Sequence, residues 1–343
     1  MRKKTIIIAI ILMMIMAVVL CGCGNDNDKQ TADGSKIVFK VGHVQPADHP
    51  YHTGMVKLNE LLQERTNGQI SLDIYPSSQL GAERELIEGV QLGTVDIGLV
   101  TSPLANFDTS WYLFDIPGIF YTKEHAYEFL DGEKGQAMLD GLASKNIKGV
   151  SFWETGFFNM FDSKHAIEDP SDLSGLTMRV MENDAYITYF SKLGANPVPM
   201  AYSEVYTGIQ NGTVDGTVIP ISAIYLNKFY TVAPYVTRCQ NWYCPVTFIM
   251  STSAWSTMTE EQQEIFQECA NEARDYMRQQ LTDSEETQVQ AMKDEGCTVI
   301  EVDKEAWSKG EAEAVQAVKD LFVGKYVSQD DLDYIESIGE KYK

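Results

Sequence analysis

Apolar residues recur along this chain with two spacings, every second residue in short runs and every third or fourth in longer ones, and the order of the runs is itself repeated. Residues 37–42 form a strand candidate, residues 52–65 a helix stopped by Asn67-Gly68, and residues 70–75 a second strand. An amphipathic run over 83–92 follows, then Gly93 and a β-branched stretch, which together spell helix, C-cap and strand. The same order returns as a strand at 176–180, a helix at 185–193 ended by Gly194, a strand at 196–200 and an amphipathic run over 203–211. The octapeptide from Gly89 to Asp96 recurs from Gly208 to Asp215 with six of its eight residues identical. Each copy therefore reads β-α-β-α-β, the unit of a parallel sheet covered by helices. Two copies predict an α/β protein of two lobes with a cleft between them. In open α/β sheets a ligand lies beyond the carboxyl ends of the strands. That rule selects the loop after Gly42, the residues near Thr101-Ser102, the region of Arg179, and Val218-Ile219-Pro220.

Outside the repeat, the aromatic-rich segment 153–161 and the apolar segment 243–250 are predicted to be strands that cross between the lobes as hinges. Thr259 and Gln262 form a capping-box pattern that opens a long helix. Ile265, Phe266, Cys269, Ala270, Ala273, Tyr276 and Met277 mark its buried face, and Gly296 stops it. Its length of about 36 residues, at 1.5 Å each, spans about 54 Å and reaches across both lobes. A strand at 298–302 and helices at 305–321 and 330–341 complete the chain. The resulting division is 36–156 with 246–284 in the first lobe, and 157–245 with 285–343 in the second. Ahead of these, Arg2-Lys3-Lys4 precede an apolar run from Ile6 to Leu20 that is short for a membrane span, so residues 1–22 read as an export signal.

Composition narrows the function. A chain of 343 residues with 44% hydrophobic and 22% charged residues is neither disordered nor a multi-span membrane protein. Its 27 Lys+Arg against 49 Asp+Glu give a net charge of -22, a field that repels phosphate backbones and argues against a nucleic-acid partner. Leu20-Cys21-Gly22-Cys23 resembles the lipobox of bacterial lipoproteins, which implies lipidation of Cys23 and anchoring to the membrane by acyl chains. Residues 23–35, polar and rich in Asn, Asp and Gly, form a tether. Cys239, Cys244, Cys269 and Cys297 are compatible either with a disulfide, for which Cys239 and Cys244 are the nearest pair, or with free thiols packed as small hydrophobes. His43, His49 and His52 fit no familiar metal spacing and read as a polar loop over the cleft, with one histidine touching ligand; no metal is expected. Nucleophile-elbow, dinucleotide and phosphate-loop motifs are absent, so neither an enzyme nor a cofactor is expected. The pairs Glu260-Glu261 and Glu285-Glu286 read as solvated faces of the long helix.

The run from Leu193 to Met200, followed by Ser203-Glu204-Val205-Tyr206 and Val214-Asp215-Gly216, resembles the signature of the DctP family, the substrate-binding proteins of TRAP transporters. The stretches Glu64 to Gly68, Gln79-Leu80-Gly81 and Asp169 to Leu176 fit the same family, so the similarity covers the chain from about Lys36 onward. The resemblance implies a two-lobed periplasmic-binding-protein fold outside the cytoplasm. It also implies capture of an organic acid and delivery to the small and large membrane subunits of a sodium-driven permease. In this family an arginine on the first strand of the second lobe holds the ligand carboxylate, which is Arg179 here, and an aromatic ring lies against the ligand, here Tyr202. A second arginine and an asparagine that the family often carries are replaced by Phe158 and Ile219. The site is then expected to suit one carboxylate on an apolar body, with Thr101, His43 and Asn159 as further polar contacts, Glu154 as a possible one, and Trp111 or Trp153 as a possible wall. A sensor protein that presents its ligand to a signalling receptor would share this binding chemistry, as would an exported enzyme acting on small acids.

Overall fold

The computed structural model describes residues 36–343; the export signal, the tether and Cys23 lie outside the described residues. The first copy of the repeat gives β1 (Ile37–Gly42), α1 (Pro50–Arg65), β2 (Ile70–Tyr75), α2 (Glu83–Leu92) and β3 (Ile97–Val100). Two 3-10 turns and two helices, α3 (Lys123–Leu130) and α4 (Glu133–Gly141), lead to β4 (Ile147–Phe157) and β5 (Asn159–Asp162). The second copy gives β6 (Thr177–Val180), α5 (Asp184–Lys192), β7 (Asn196–Pro199), α6 (Val205–Gln210) and β8 (Gly216–Ile219). After it come α7 (Ile221–Leu226), β9 (Tyr235–Arg238), β10 (Tyr243–Ser251) and α8 (Thr252–Trp255). The chain ends with α9 (Glu260–Asp294), β11 (Thr298–Glu301), α10 (Lys304–Phe322) and α11 (Gln329–Gly339). The fold is two-lobed α/β, as the repeat predicts.

Strand order is β2-β1-β3-β10-β4 in one sheet and β11-β9-β5-β8-β6-β7 in the other. Within each copy the three strands are parallel, β1 lying between β2 and β3 as β6 lies between β7 and β8. The sheets are not wholly parallel, however. Beside β3 lies β10, antiparallel, with Thr247 opposite Val100; beside β8 lies β5, antiparallel, with Asn159 opposite Ile219. Each sheet thus borrows a strand from the other half of the chain, which is what the two crossing segments accomplish. The first crossing strand begins earlier than the aromatic pattern suggests, at Ile147, and is interrupted at Phe158, whose N–H donates to the Trp242 carbonyl of the other crossing at 2.8 Å.

The repeated octapeptide performs the same structural task twice. Gly93 and Gly212 both adopt φ +71° just past their helices, a left-handed conformation that glycine takes without steric cost. The Asp96 carboxylate accepts the Lys40 N–H at 2.7 Å, and the Asp215 carboxylate accepts the Thr177 N–H at 2.8 Å. Each aspartate therefore fastens the third strand of its copy to the first through a backbone amide.

The long helix α9 opens with the predicted capping box, Thr259 and Gln262 satisfying each other's backbone N–H. Phe266, Ala270 and Met277 enter the core of the first lobe, while Val289 and Met292 enter that of the second. Glu285 and Glu286 both pair with Arg238 of β9, so this acidic pair ties the helix to the second sheet rather than only facing solvent. The C-terminal helix α11 lies against α3 of the first lobe, where the His125 ring contacts the Ile335 carbonyl at 2.8 Å and Lys134 pairs with Asp331 at 2.6 Å. Cys239 and Cys244 are free and buried, as are Cys269 and, partly, Cys297; the Cys239–Cys244 disulfide is not formed. Instead Cys239 Sγ faces the Phe158 carbonyl and Cys244 Sγ the Ser102 hydroxyl, both at 3.7 Å.

The repeat supplies a stability test. A Cβ at position 212 meets no atom within 4 Å, whereas one at position 93 lies 2.9 Å from Ser253 Oγ. Gly212→Ala should cost about 1–2 kcal/mol, the left-handed backbone penalty alone, and Gly93→Ala should cost more. Urea unfolding of the two variants checks this, and equal or negligible losses would contradict it.

Candidate ligand-binding site

The carboxyl ends of β1, β3, β6, β7 and β8 converge on one cleft between the lobes, which encloses about 50 Å³ and opens to solvent. Arg179, Tyr202, Ile219, Phe158 and Thr101 all line it. His43 and Asn159 do not. The His43 ring is fully buried against His52, with Nε2 to Nδ1 at 3.2 Å, and the Asn159 amide donates to the Phe157 carbonyl at 3.1 Å. Trp111 and Trp153 are core residues, their indole N–H groups given to Thr247 and Ser151. Glu154 is buried too, but against Tyr127 and Lys123 beside the hinge rather than against the cleft.

Arg179 stands on β6, where Nε donates to the Met200 carbonyl at 2.9 Å. That bond fixes the plane of the guanidinium. Among the described residues no carboxylate oxygen lies within 4 Å of it, although the side chain is only 3% exposed. Burial lowers its pKa to about 10, opposed by Tyr202 and Glu83 nearby, so it stays cationic at neutral pH. A buried cation whose outer nitrogens face a cavity is a site for an anion, because an uncompensated charge away from water is costly.

Across the cleft stands a residue that sequence reasoning passed over. Glu83, at the start of α2, accepts the Thr101 N–H at 3.2 Å and the Thr101 hydroxyl at 2.6 Å through Oε2. Burial raises its pKa, while the Thr101 bonds and the Arg179 charge pull it back. Thr101 thus spends its hydroxyl on orienting Glu83. The repeat held the missing signal: the offset that superposes Gly89 on Gly208 carries Glu83 onto Tyr202. Tyr51 also lines the cleft, and its buried hydroxyl has no partner. Val44, Met181, Met200 and Pro220 add apolar wall.

The lobes meet through polar contacts around the cleft. Gln45 Oε1 accepts from the Tyr202 hydroxyl and from the Asn227 amide, each at 3.1 Å, so the ring at the second lobe is held by the first. His49 caps α1 through Nδ1, which accepts the Tyr51 N–H at 3.1 Å, and Nε2 reaches the Ser222 hydroxyl at 3.2 Å. The Ser102 and Tyr186 hydroxyls meet at 3.0 Å, and the Asn183 amide donates to Asp115 at 2.5 Å. Burial lifts the Asp115 carboxyl to about 7 and lowers the His49 imidazole to about 3. Of the three histidines, His49 therefore joins the lobes, and His43 and His52 pack on each other.

The profile of bacterial extracellular solute-binding protein family 7, DctP, matches residues 41–324. The 2,3-diketo-L-gulonate-binding periplasmic protein YiaO of Escherichia coli K12 is 32% identical over 287 residues, 83% of this chain and 87% of that protein. The C4-dicarboxylate-binding periplasmic protein DctP of Rhodobacter capsulatus is 33% identical over 266 residues, 76% and 79% of the two chains. The crystal structure of the sugar acid binding protein DctPAm from Advenella mimigardefordensis, in complex with galactonate, superposes with a TM-score of 0.85 at 26% identity, covering 91% of this chain and 100% of that one.

His49 makes the site's cohesion pH-dependent. Its folded pKa of about 3 lies below the ordinary 6.5, so between these values the unfolded chain binds a proton that the folded chain does not. Its contribution is complete above pH 6.5 and is lost as the pH falls. In urea unfolding at pH 7 and pH 5, the stability deficit of His49→Gln relative to the unsubstituted protein should shrink by about 2 kcal/mol at the lower pH. A deficit that does not change would mean that His49 carries its charge in the fold.

Proposed function

Given that the chain belongs to the DctP family of bacterial extracellular solute-binding proteins, we propose that Arg179 receives the carboxylate of a small organic acid in the cleft between the lobes. The protein is a solute-binding component of a TRAP transporter, and its work is capture and delivery, with no chemical change to the ligand. The observation that carries the proposal is a buried guanidinium, oriented by the Met200 carbonyl and without a carboxylate partner among the described residues. A guanidinium fork offers a carboxylate two parallel hydrogen bonds, which set its orientation as well as its charge. Tyr202 and Ile219 line the same cleft, and so does Phe158, which stands where the family often carries a second arginine. The relatives bind, by name, a diketo sugar acid, C4-dicarboxylates and galactonate, which agree in having a carboxylate and differ in the rest. For this chain the apolar wall favours a monocarboxylate with an apolar body.

Delivery requires partners outside the cytoplasm, the membrane subunits of the permease, and a means of staying near them. Lipidation at Cys23, with residues 24–35 as tether, provides that means. Cys23→Ser should move the protein from the membrane fraction to the soluble one after cell fractionation. A variant that still sediments with membranes after a salt wash would remove the anchor from this reading.

Calorimetry on folded variants tests the carboxylate. Charge-assisted hydrogen bonds contribute about 1.5–3 kcal/mol each. Arg179→Ala should therefore weaken acid binding by roughly 10- to 150-fold, and Arg179→Lys should recover only part of the loss because it cannot form the paired bonds. Affinity unchanged in Arg179→Ala would reduce this arginine to a structural role.

A further inference from the structure

A ligand reaches Arg179 only when the lobes part, because the arginine is 3% exposed and Gln45 holds Tyr202 across the cleft. The joint that must yield lies behind the cleft. There α9 leaves the first core after Leu281 and enters the second at Val289, with Glu285 midway. Glu285 Oε1 accepts from Arg238 of β9 at 3.1 Å and from Gln240, just beyond that strand, at 3.4 Å, which fixes it to the second lobe. Its other oxygen, Oε2, lies 3.4 Å from the ammonium of Lys123 at the start of α3, a helix packed on β4 of the first sheet. The same ammonium lies 3.4 Å from Glu154 Oε1 on β4. Glu154 is wholly buried and bonded to the Tyr127 hydroxyl; the other cation nearby, Arg278, lies over the Tyr127 ring and is committed to Asp131 and to the Phe152 carbonyl. Two residues beyond Glu154, Gly156 adopts φ +97° where the β4–β10 register shifts at Cys244-Pro245, the kind of irregularity at which a strand bends. The ion bridge and the flexure of the backbone thus occupy one place.

We propose that Lys123 is the latch of this joint: shared by Glu154 and Glu285 it favours the closed arrangement, and when the lobes part it stays with Glu154 while Glu285 leaves with Arg238. Two observations carry this. Both contacts, at 3.4 Å, are longer than the roughly 2.7–2.9 Å of a close charge-assisted bond, so the ammonium is divided between the two acids and committed to neither. Each acid also has a second partner, Tyr127 for Glu154 and Arg238 for Glu285, so breaking the bridge strands no buried charge. A pair that left an uncompensated charge in the interior would hold the lobes shut; this one releases at the small cost of a partly exposed pair. Thr155 and Pro220 line both the ligand cleft and the small cavity beside Lys123 and Glu285, and so form the wall between them. Lys123 therefore acts on capture without touching the ligand, as a positioning residue. The proposal concerns the lobes alone and holds whatever acid the cleft takes.

Amide hydrogen exchange of the full-length chain, without ligand, reads the balance directly. Residues 43–51 and 219–227 meet across the cleft through His49–Ser222 and Gln45–Asn227, so their amides gain exchange when the lobes part, whereas those of β1 and β6 exchange when their sheets open. Glu285→Gln keeps an acceptor for Arg238 and Gln240 and loses the one that faces Lys123. It should speed exchange in 43–51 and 219–227 by about two- to fivefold and leave β1 and β6 unchanged. Lys123→Met combined with Glu154→Gln, which removes the ammonium without stranding the buried acid, should give the same rise. Glu286→Gln removes a partner of Arg238 that does not pair with Lys123, and should change neither segment. Exchange in Glu285→Gln equal to or slower than that of the unsubstituted protein would overturn the latch, as would a rise spread equally over β1 and β6 or the same rise in Glu286→Gln. If Glu285→Gln does not fold, the double variant decides on the same segments; if neither folds, the bridge serves the stability of the fold and the latch is overturned too.

Discussion

A guanidinium removed from water with one of its five N–H groups committed is the constraint around which the cleft is arranged. The molecule is strongly acidic, and an isolated arginine in such a field would ordinarily find a carboxylate at once. Arg179 does not, because its strand end is enclosed by residues that offer none at contact distance: Met181, Met200, Ile219, Pro220 and the ring of Tyr202. Of the two acids that line the same cleft, Glu83 and Glu182, the first is held by the Thr101 N–H and hydroxyl.

The scaffold that holds the two charges apart is the swapped pair of sheets. Arg179 belongs to the second sheet, Glu83 and Thr101 to the ends of elements in the first, and the chain passes between them at Phe158 and again before Tyr243. The crossing strands lie in both sheets, so a shift of one lobe is transmitted through β4–β5 and β9–β10 to the strand ends that line the cleft. The long helix runs behind this joint with side chains in both cores, and Glu285 bridges Arg238 of the second lobe to Lys123 of the first.

Much of this was legible in the sequence because duplication doubled every signal. β1, β2 and α2 carry the predicted boundaries, and the long helix ends one residue earlier than predicted, at Asp294, since glycine stops and capping residues are local features. Helices α3 and α4 escaped because their buried faces are short, four residues in α3 and two in α4, and their neighbours are 3-10 turns whose apolar residues follow neither period. Strand β9 escaped for a different reason, being four residues long and defined by partners far away in the chain, while β5 was read as the end of one continuous crossing strand. Arg179, Thr101 and Ile219 were legible as strand-end residues and Tyr202 and Phe158 through the family resemblance, and all five line the cleft. Glu83 was missed by reading its run only as a helix start, although the duplication places it opposite Tyr202. His43 misled because its proximity to the cleft in sequence says nothing of the neighbour, His52, that occupies its ring nitrogen.

The exchange of strands also governs how the molecule comes into being. The edge of β3 remains open until β10 arrives, since Thr247 pairs with Val100, and β10 is made only after the whole second repeat. The second sheet in turn needs β5, which precedes its own repeat, and its edge strand β11 lies beyond the long helix. Neither half of the gene encodes a self-sufficient body. Native pairing must wait for nearly the entire chain, and such distant contacts slow folding because loops are closed before they are rewarded. Because each sheet is completed by a strand from the other half of the chain, formation of one lobe's sheet is coupled to formation of the other's.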